Sequence, residues 1–369
     1  MSTDNTNARS DPAIIGTLKE DLRRGDFGRT IRREFRELEE YMMDEERKER
    51  LNAMGRVKRW LVLSWWLLKS MFFRLTPARR ILIVAGLLIV FLSRTVIYSD
   101  GDLRIQGETN GLGILVILFV LMLELKDKLV AHDELKAGRA VQQALMPERG
   151  PRVPGWGLWV FTRAANEVGG DLVDFMKIGD RRFGLVLGDV AGKGLSAALL
   201  AAKLQATLRA LVADVPSLSA LGAKMNGIFC RDSLPQIFAS LVYIEIAPDS
   251  GSVRFVNAGH IPPVKMRNGK LEKLDKGGVA LGIMPEAQYS EQAVDLESGD
   301  LLLFYSDGLT EAQNKDGAFF DEQRLIDFLT RFPSLTAGTT GERLLIELDR
   351  FVGEANVHDD VSLVIMKKE

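Results

Sequence analysis

Residues 156–212 read WGLWVFTRAANEVGGDLVDFMKIGDRRFGLVLGDVAGKGLSAALLAAKLQATLRALV. Within this stretch WGLWVFT, DFMKIG and RFGLVLGDV alternate or run apolar, the pattern of strands covered on one or both faces. Asp180–Arg181–Arg182 supplies a tight polar turn between the second and the third. The Leu- and Ala-rich run from Gly194 to Val212 is helical, and a second helix follows over Ser217–Arg231. Working outward, strands are expected in FASLVYIEIA, SVRFVNA, PPVKMR, KLEKL and LLLFYS, with turns across Pro248–Gly251 and at Asn268–Gly269. Two more helices, near Asp321–Thr330 and Gly341–Val352, precede a last strand, VSLVIMK. Strands that pair with sequence neighbours, together with paired helices, predict an α/β (α+β) domain over residues 147–369. Its expected form is an antiparallel β-sandwich flanked by helices on both faces (α-β-β-α), not a βαβ array.

Upstream the texture changes. Residues 1–58 are polar and heavily charged, with a helical run from about Arg29 to Arg56 and no cleavable signal pattern. They read as a solvated cytoplasmic helical segment. Residues 59–126 hold three apolar stretches. Trp60–Phe73 is rich in tryptophan and carries Lys69, which suits a helix lying in a membrane interface. Ile81 to about Tyr98 begins ILIVAGLLIVFL and reaches spanning length if Arg94 snorkels. Gly111–Leu125 is short for a span unless the following helix extends it. Arg74, Arg79 and Arg80 precede this pair of stretches, and Lys126 and Lys128 follow it. Positive charge on both outer ends predicts a membrane hairpin with both its termini, and the C-terminal domain, in the cytoplasm. The alternative is a buried core hairpin. Residues 127–146 form a linker helix stopped by Pro147, without a clean heptad. It reads either as a signalling helix through which a homodimer forms or as a passive linker.

Composition narrows the chemistry. A net charge of -2 gives no overall attraction to nucleic acid, and none is expected as a partner. One cysteine, Cys230, excludes an intramolecular disulfide, and three histidines make a histidine-rich metal site a poor fit. A metal here would be held by carboxylates, which favours magnesium or manganese.

Four acidic motifs sit where strands give way to turns: Gly169–Gly170–Asp171, Gly188–Asp189–Val190, Ser306–Asp307–Gly308 and Asp359–Asp360. A single such aspartate is usually a turn former. Four converging carboxylates would repel one another unless cations lay between them. A pair of hard divalent ions, about 3.5–4 Å apart, could then share a hydroxide and orient a phosphoryl group without a nucleophilic side chain.

EVGGDLVDF, GDVAGKGLSAALLAA, FASLVY, NAGHIPP, YSDGLTEAQN and DDVSLVIMK, entered by AVQQALMPE, resemble in order and spacing the SpoIIE-like bacterial branch of the metal-dependent (PPM, type 2C) protein phosphatases. The resemblance covers about 220 residues and leaves the membrane region unassigned. It implies a phosphoprotein phosphatase with two Mn2+ or Mg2+ ions. Asp171, Asp189, Asp307 and Asp359 would be the metal and catalytic carboxylates, and the carbonyl of Val190 a backbone ligand. Asp359 is preferred to Asp360 because the family's ligand is the first residue of that signature. The implied substrate is phosphoserine or phosphothreonine on a partner protein, typically a STAS-type anti-sigma-factor antagonist. One departure is the absence of the family's usual proline from Phe161–Ala165.

Other residues carry alternatives. Asp174 could support the metal ligands from behind or be a solvated strand residue. Asp360 could do the same or cap a turn. His260 could touch substrate or be satisfied within a turn. Gly192–Lys193 lacks the spacing of a Walker loop, and Arg163 is the nearest basic candidate to steady a phosphate. Two rival functions remain: a catalytically silent scaffold of the same fold, and a nucleotide cyclase suggested by Gly169–Gly170–Asp171, for which Leu172–Val173 is the wrong continuation.

Overall fold

The computed structural model describes residues 51, 54–92, 96–100, 103–107, 110–232, 234, 236–355 and 357–369. Residues 1–50, where the charged helix is expected to begin, lie outside these, as does Arg94. The chain divides into two compact units, Met1–Lys128 and Leu129–Glu369.

In the first unit, α1 (Arg56–Arg74) turns at Leu75–Thr76 into α2 (Pro77–Leu92). A two-stranded antiparallel ribbon, β1 (Val96–Asp100) and β2 (Leu103–Gly107), leads to α3 (Asn110–Leu145). Helix α2 therefore stops short of the expected Tyr98, which lies in β1. β-branched Val96 and Ile97 and the Asp-Gly-Asp sequence that follows favour a hairpin over a further helical turn. Against α2 lies the first part of α3. A methyl group on Gly113 would sit 2.7 Å from the Gly86 carbonyl oxygen, so only glycine allows this approach of the backbones. Arg79 clasps the other end through Glu124 and Asp127, at 2.6 and 2.7 Å. The 16 residues of α2 rise about 24 Å, against a bilayer core of about 30 Å. Among the described residues no helix is long and apolar enough to cross a membrane. Gly111–Leu125 and the linker helix form one uninterrupted helix that ends just before Pro147, a residue that cannot continue the hydrogen-bond ladder.

In the second unit two five-stranded antiparallel sheets face each other. One runs β10 (Glu291–Asp295), β7 (Ser252–Ala258), β6 (Ala239–Ile246), β5 (Phe183–Val190), β4 (Asp171–Lys177). The other runs β3 (Trp156–Arg163), β12 (Val361–Lys368), β11 (Leu301–Tyr305), β8 (Val264–Arg267), β9 (Lys270–Lys273). Val160, Leu185, Leu187, Val242, Phe304 and Val364 fill the space between the sheets. The alternate residues of the same strands point outward. Val186, Val190 and Tyr243 pack under α4 (Leu195–Leu211) and α5 (Leu218–Asp232). Phe161, Leu303 and Leu363 pack under α7 (Asp321–Arg331) and α8 (Ala337–Val352), which follow the short α6 (Asp307–Thr310). The central strands read as apolar runs because both their faces are covered. Asn268 and Gly269 both have positive φ, 52° and 75°, as a two-residue hairpin requires. This is the four-layer α-β-β-α architecture.

Candidate active site

Side-chain alternation places the site. Val173, Leu185 and Leu187 point between the sheets, so Asp171, two residues before Val173, and Asp189, two after Leu187, point there too. They are direct cross-strand partners in the β4–β5 pair. On the opposing sheet Ser306 and Ser362 continue the inward rows of Phe304 and Val364. The apolar layer between the sheets thus turns polar at one end. Ser362 Oγ donates to Thr162 Oγ1 at 2.8 Å, and the Ser362 N–H donates to Ser306 Oγ at 2.9 Å. Ser306 Oγ donates in turn to the Asp360 carbonyl at 3.1 Å, tying the strand ends that carry Asp307 and Asp359.

Asp360 acts as a turn cap. Its two carboxylate oxygens accept from the Ala165 and Asp171 N–H groups, at 2.8 and 3.2 Å. It therefore fixes the loop that delivers Asp171. Asp359 Oδ1 accepts from the Asp360 N–H at 2.9 Å. Lys193 Nζ donates to the His358 carbonyl at 2.7 Å and so links the loop after β5 to the loop before β12. The Val190 carbonyl lies against Gly170, the residue before Asp171, since a methyl on Gly170 would be 2.9 Å from its oxygen.

Electrostatically these carboxylates form one group. Burial pushes Asp171 well above the usual carboxylate range, Asp189 and Asp360 add to this, and the Ser362 and Ser306 hydroxyls oppose it. Asp189 is pushed up to about 7, first by burial and then by Asp307, Asp359 and Asp360, with Lys193 opposing. Asp307 is raised by burial, Asp359 and Glu311. Asp171 Oδ2 is buried with no hydrogen-bond partner. An all-oxygen donor set short of positive charge fits a hard divalent cation. Among the described residues, however, no three His, Cys, Asp or Glu side chains stand close enough to hold a metal ion. Carboxylates repel one another, so closing the set would require the cation itself.

The remaining candidates separate. Asp174 is fully buried and carries no solvated role: Arg209 Nε and Nη2 donate to it at 2.6 and 2.7 Å on the helix side of the sheet. His260 is buried in its turn. Its N–H donates to Asn257 Oδ1 at 2.8 Å, its Nδ1 lies 2.8 Å from Ser240 Oγ, and burial lowers it to about 4. Arg163 pairs with Asp349 at 2.8 Å and lines a small cavity with Gly308, His358 and Asp359. Sequence reading missed Thr162, Ser306, Ser362 and Gln142. For the two serines a signal existed: each is a polar residue at an inward position of an otherwise apolar strand, beside an acidic motif. Gln142, on α3, donates to the Gly169 carbonyl at 2.8 Å and accepts from the Gly169 N–H at 3.2 Å. A cleft of about 240 Å³ lined by Val141, Leu145, Asp171, Leu195 and Leu199 adjoins it.

A family model described as Stage II sporulation protein E (SpoIIE) matches residues 179–369. This span contains Asp189, Asp307 and Asp359 and begins after Asp171. Protein IcfG of Synechocystis sp. is 27% identical over 278 residues, covering 64% of this chain and 44% of IcfG. Phosphoserine phosphatase RsbU of Bacillus subtilis is 23% identical over 242 residues, covering 64% of this chain and 70% of RsbU. The chain thus spans less than half the length of IcfG. Among solved structures, the SiaA-PP2C domain of Pseudomonas aeruginosa has a TM-score of 0.57 at 19% identity, over 66% of this chain and 99% of that one. The RsbU and RsbW domains of Rv1364c from Mycobacterium tuberculosis have a TM-score of 0.51 at 25% identity, over 59% and 61%. Fold and family model agree, and the chain belongs to the SpoIIE family.

Proposed function

We propose that this chain is a membrane-anchored protein serine/threonine phosphatase that removes phosphate from phosphoserine or phosphothreonine on a partner protein. The observation that carries this reading is the polar end of the sandwich: Asp171 and Asp189 as cross-strand partners, with Asp189 raised by Asp307 and Asp359 from the opposite sheet. Relatives named phosphoserine phosphatases support the substrate class. A STAS-type anti-sigma-factor antagonist is the partner we propose.

Asp171, Asp189, Asp307, Asp359 and the Val190 carbonyl would hold two Mn2+ or Mg2+ ions. When bound, such ions supply an activated water and neutralise phosphate charge. The protein's own contribution is placement. Ser306 and Ser362 tie together the strand ends that carry Asp307 and Asp359, Asp360 fixes the Asp171 loop, and Lys193 holds the Asp359 loop against the Asp189 loop. We place the chain in the cell membrane as a multi-pass protein with the phosphatase domain cytoplasmic, from the apolar hairpin and its flanking charges. Exposed Leu129, Val130, Val141 and Leu145 on α3 support a homodimer through this helix.

A second reading has one observation in its favour: the lack of any ready metal-holding trio among the described residues. It is a scaffold of the same fold that binds a partner without hydrolysis. The two separate in one experiment on the purified full chain. Hydrolysis of an aryl phosphate that requires Mn2+ or Mg2+ and is lost in Asp189→Asn supports the phosphatase. Metal titration without tight sites, together with no turnover, supports the scaffold.

A further inference from the structure

Among the described residues, helix α1 leaves one face bare. At 100° per residue, Trp60, Leu61, Trp65, Leu68 and Met71 fall within about 140° of one another, and these side chains are 62, 58, 66, 65 and 53% exposed. The opposite side is occupied, since Val62, Leu63, Trp66 and Leu67 pack on Leu51. The bare face is therefore not a helix awaiting its own core. Exposed Lys58 and Lys69 border it, and the sequence of α1 carries Arg56, Lys58, Arg59, Lys69 and Arg74 with no acidic residue.

We propose that this face lies in the surface of a bilayer containing anionic phospholipids. The proposal rests on the membrane reading above and names the surface that α1 touches. Three properties select lipid over a protein partner. Tryptophan favours the headgroup boundary, where an apolar ring meets water. Lysines at the edge of the face can keep their stems along the apolar layer and their ammonium groups among phosphates. A charge set of one sign attracts an anionic leaflet. The chain's overall charge of -2 gives no such attraction, so the preference is local to α1.

Tryptophan fluorescence of the full chain in vesicles tests this directly. Three of the five tryptophans, Trp60, Trp65 and Trp66, are on α1, while Trp156 and Trp159 are only 4 and 5% exposed within the sandwich. Lipids brominated near the headgroup should quench the emission more strongly than lipids brominated near the chain ends. Quenching should be greater in phosphatidylcholine–phosphatidylglycerol vesicles than in phosphatidylcholine alone. Lys58→Glu with Lys69→Glu keeps every tryptophan and should lower the shallow quenching by about half in the anionic vesicles only. A chain that floats with vesicles yet shows no quenching overturns the proposal and leaves the anchor intact. Equal quenching in both lipids, unchanged by the charge reversal, overturns the anionic preference. A chain that does not float overturns the membrane reading itself.

Discussion

The β10-β7-β6-β5-β4 sheet buries acid on both of its faces and treats the two differently. On the helix side Asp174 is fully buried and gripped by Arg209 at 2.6 Å. Glu245, 3% exposed, receives the Tyr243 hydroxyl at 3.0 Å and has Arg182 and Arg254 within 3.7 and 3.5 Å. Every buried acid there has a guanidinium supplied by the chain. On the inner side Asp171 and Asp189 have none among the described residues; both carboxyls are pushed up, and Lys193 opposes the rise at Asp189. Removing a charge from water costs several kcal/mol unless something compensates it. A fold that compensates two acids internally and leaves two others short of positive charge supports the proposed role of the second pair toward an outside cation.

The sharpest break of this comparison is removal of one inner charge. Asp189→Asn should lower hydrolysis about a thousandfold or more, roughly 4 kcal/mol of barrier. Its metal-free form should melt no lower than wild type, because it loses a repelled carboxylate. Added Mn2+ should raise the melting temperature of wild type and raise that of the variant less. A variant that unfolds, or one that retains activity, removes the inner face from the chemistry.

His260 tests the same polar end through pH. Its folded value of about 4 lies below its ordinary 6.5, so the unfolded chain binds the proton more readily. Its contribution to stability is present above about 6.5 and is lost as pH falls toward 4, on the order of 3 kcal/mol at most. His260→Gln should abolish that part of the acid slope, measured as denaturant stability of both proteins across this window. Superimposable slopes would place His260 in water.

On the helix side the expected effect is smaller and of the opposite kind. Arg209→Ala leaves Asp174 buried without its partner. Because half of the Arg209 side chain is exposed, the loss is discounted to about 2 kcal/mol of stability. Turnover per folded molecule should not change. A loss of turnover at unchanged stability would mean that the two faces are not separate.

These two kinds of acid were unequally legible in the sequence. Asp171, Asp189, Asp307 and Asp359 announce themselves because each bounds an apolar strand beside a glycine or a second acid. Strand alternation then gives their direction. Asp174 offered no such sign: its partner lies 35 residues away on a helix whose face only the fold defines. The central strands were legible as apolar runs, whereas β10 was not. It is an edge strand with alternating exposed residues, so EQAVD carries little apolar signal. Helix α2 was read too long because apolar character continues into β1 and does not distinguish a strand from a helix. The Gln142 clasp was invisible for a simpler reason. Its partners are backbone atoms of Gly169, and backbone groups leave no trace in side-chain pattern.

That clasp gives the smallest predicted effect. Gln142 satisfies both the N–H and the carbonyl of Gly169, two residues before Asp171, so it holds the loop without touching the carboxylate. Gln142→Ala should cost about 1 kcal/mol of stability and weaken apparent Mn2+ affinity a few-fold, since the loop must then be ordered by the ion. Gln142→Glu separates clasping from packing. The glutamate can still accept from the Gly169 N–H but sets an oxygen against the Gly169 carbonyl where the amide donated, so it should weaken metal binding more than alanine does, despite its closer shape. If glutamate restores wild-type affinity, the donated hydrogen bond does nothing for the inner acids, and their loop is held by Asp360 alone.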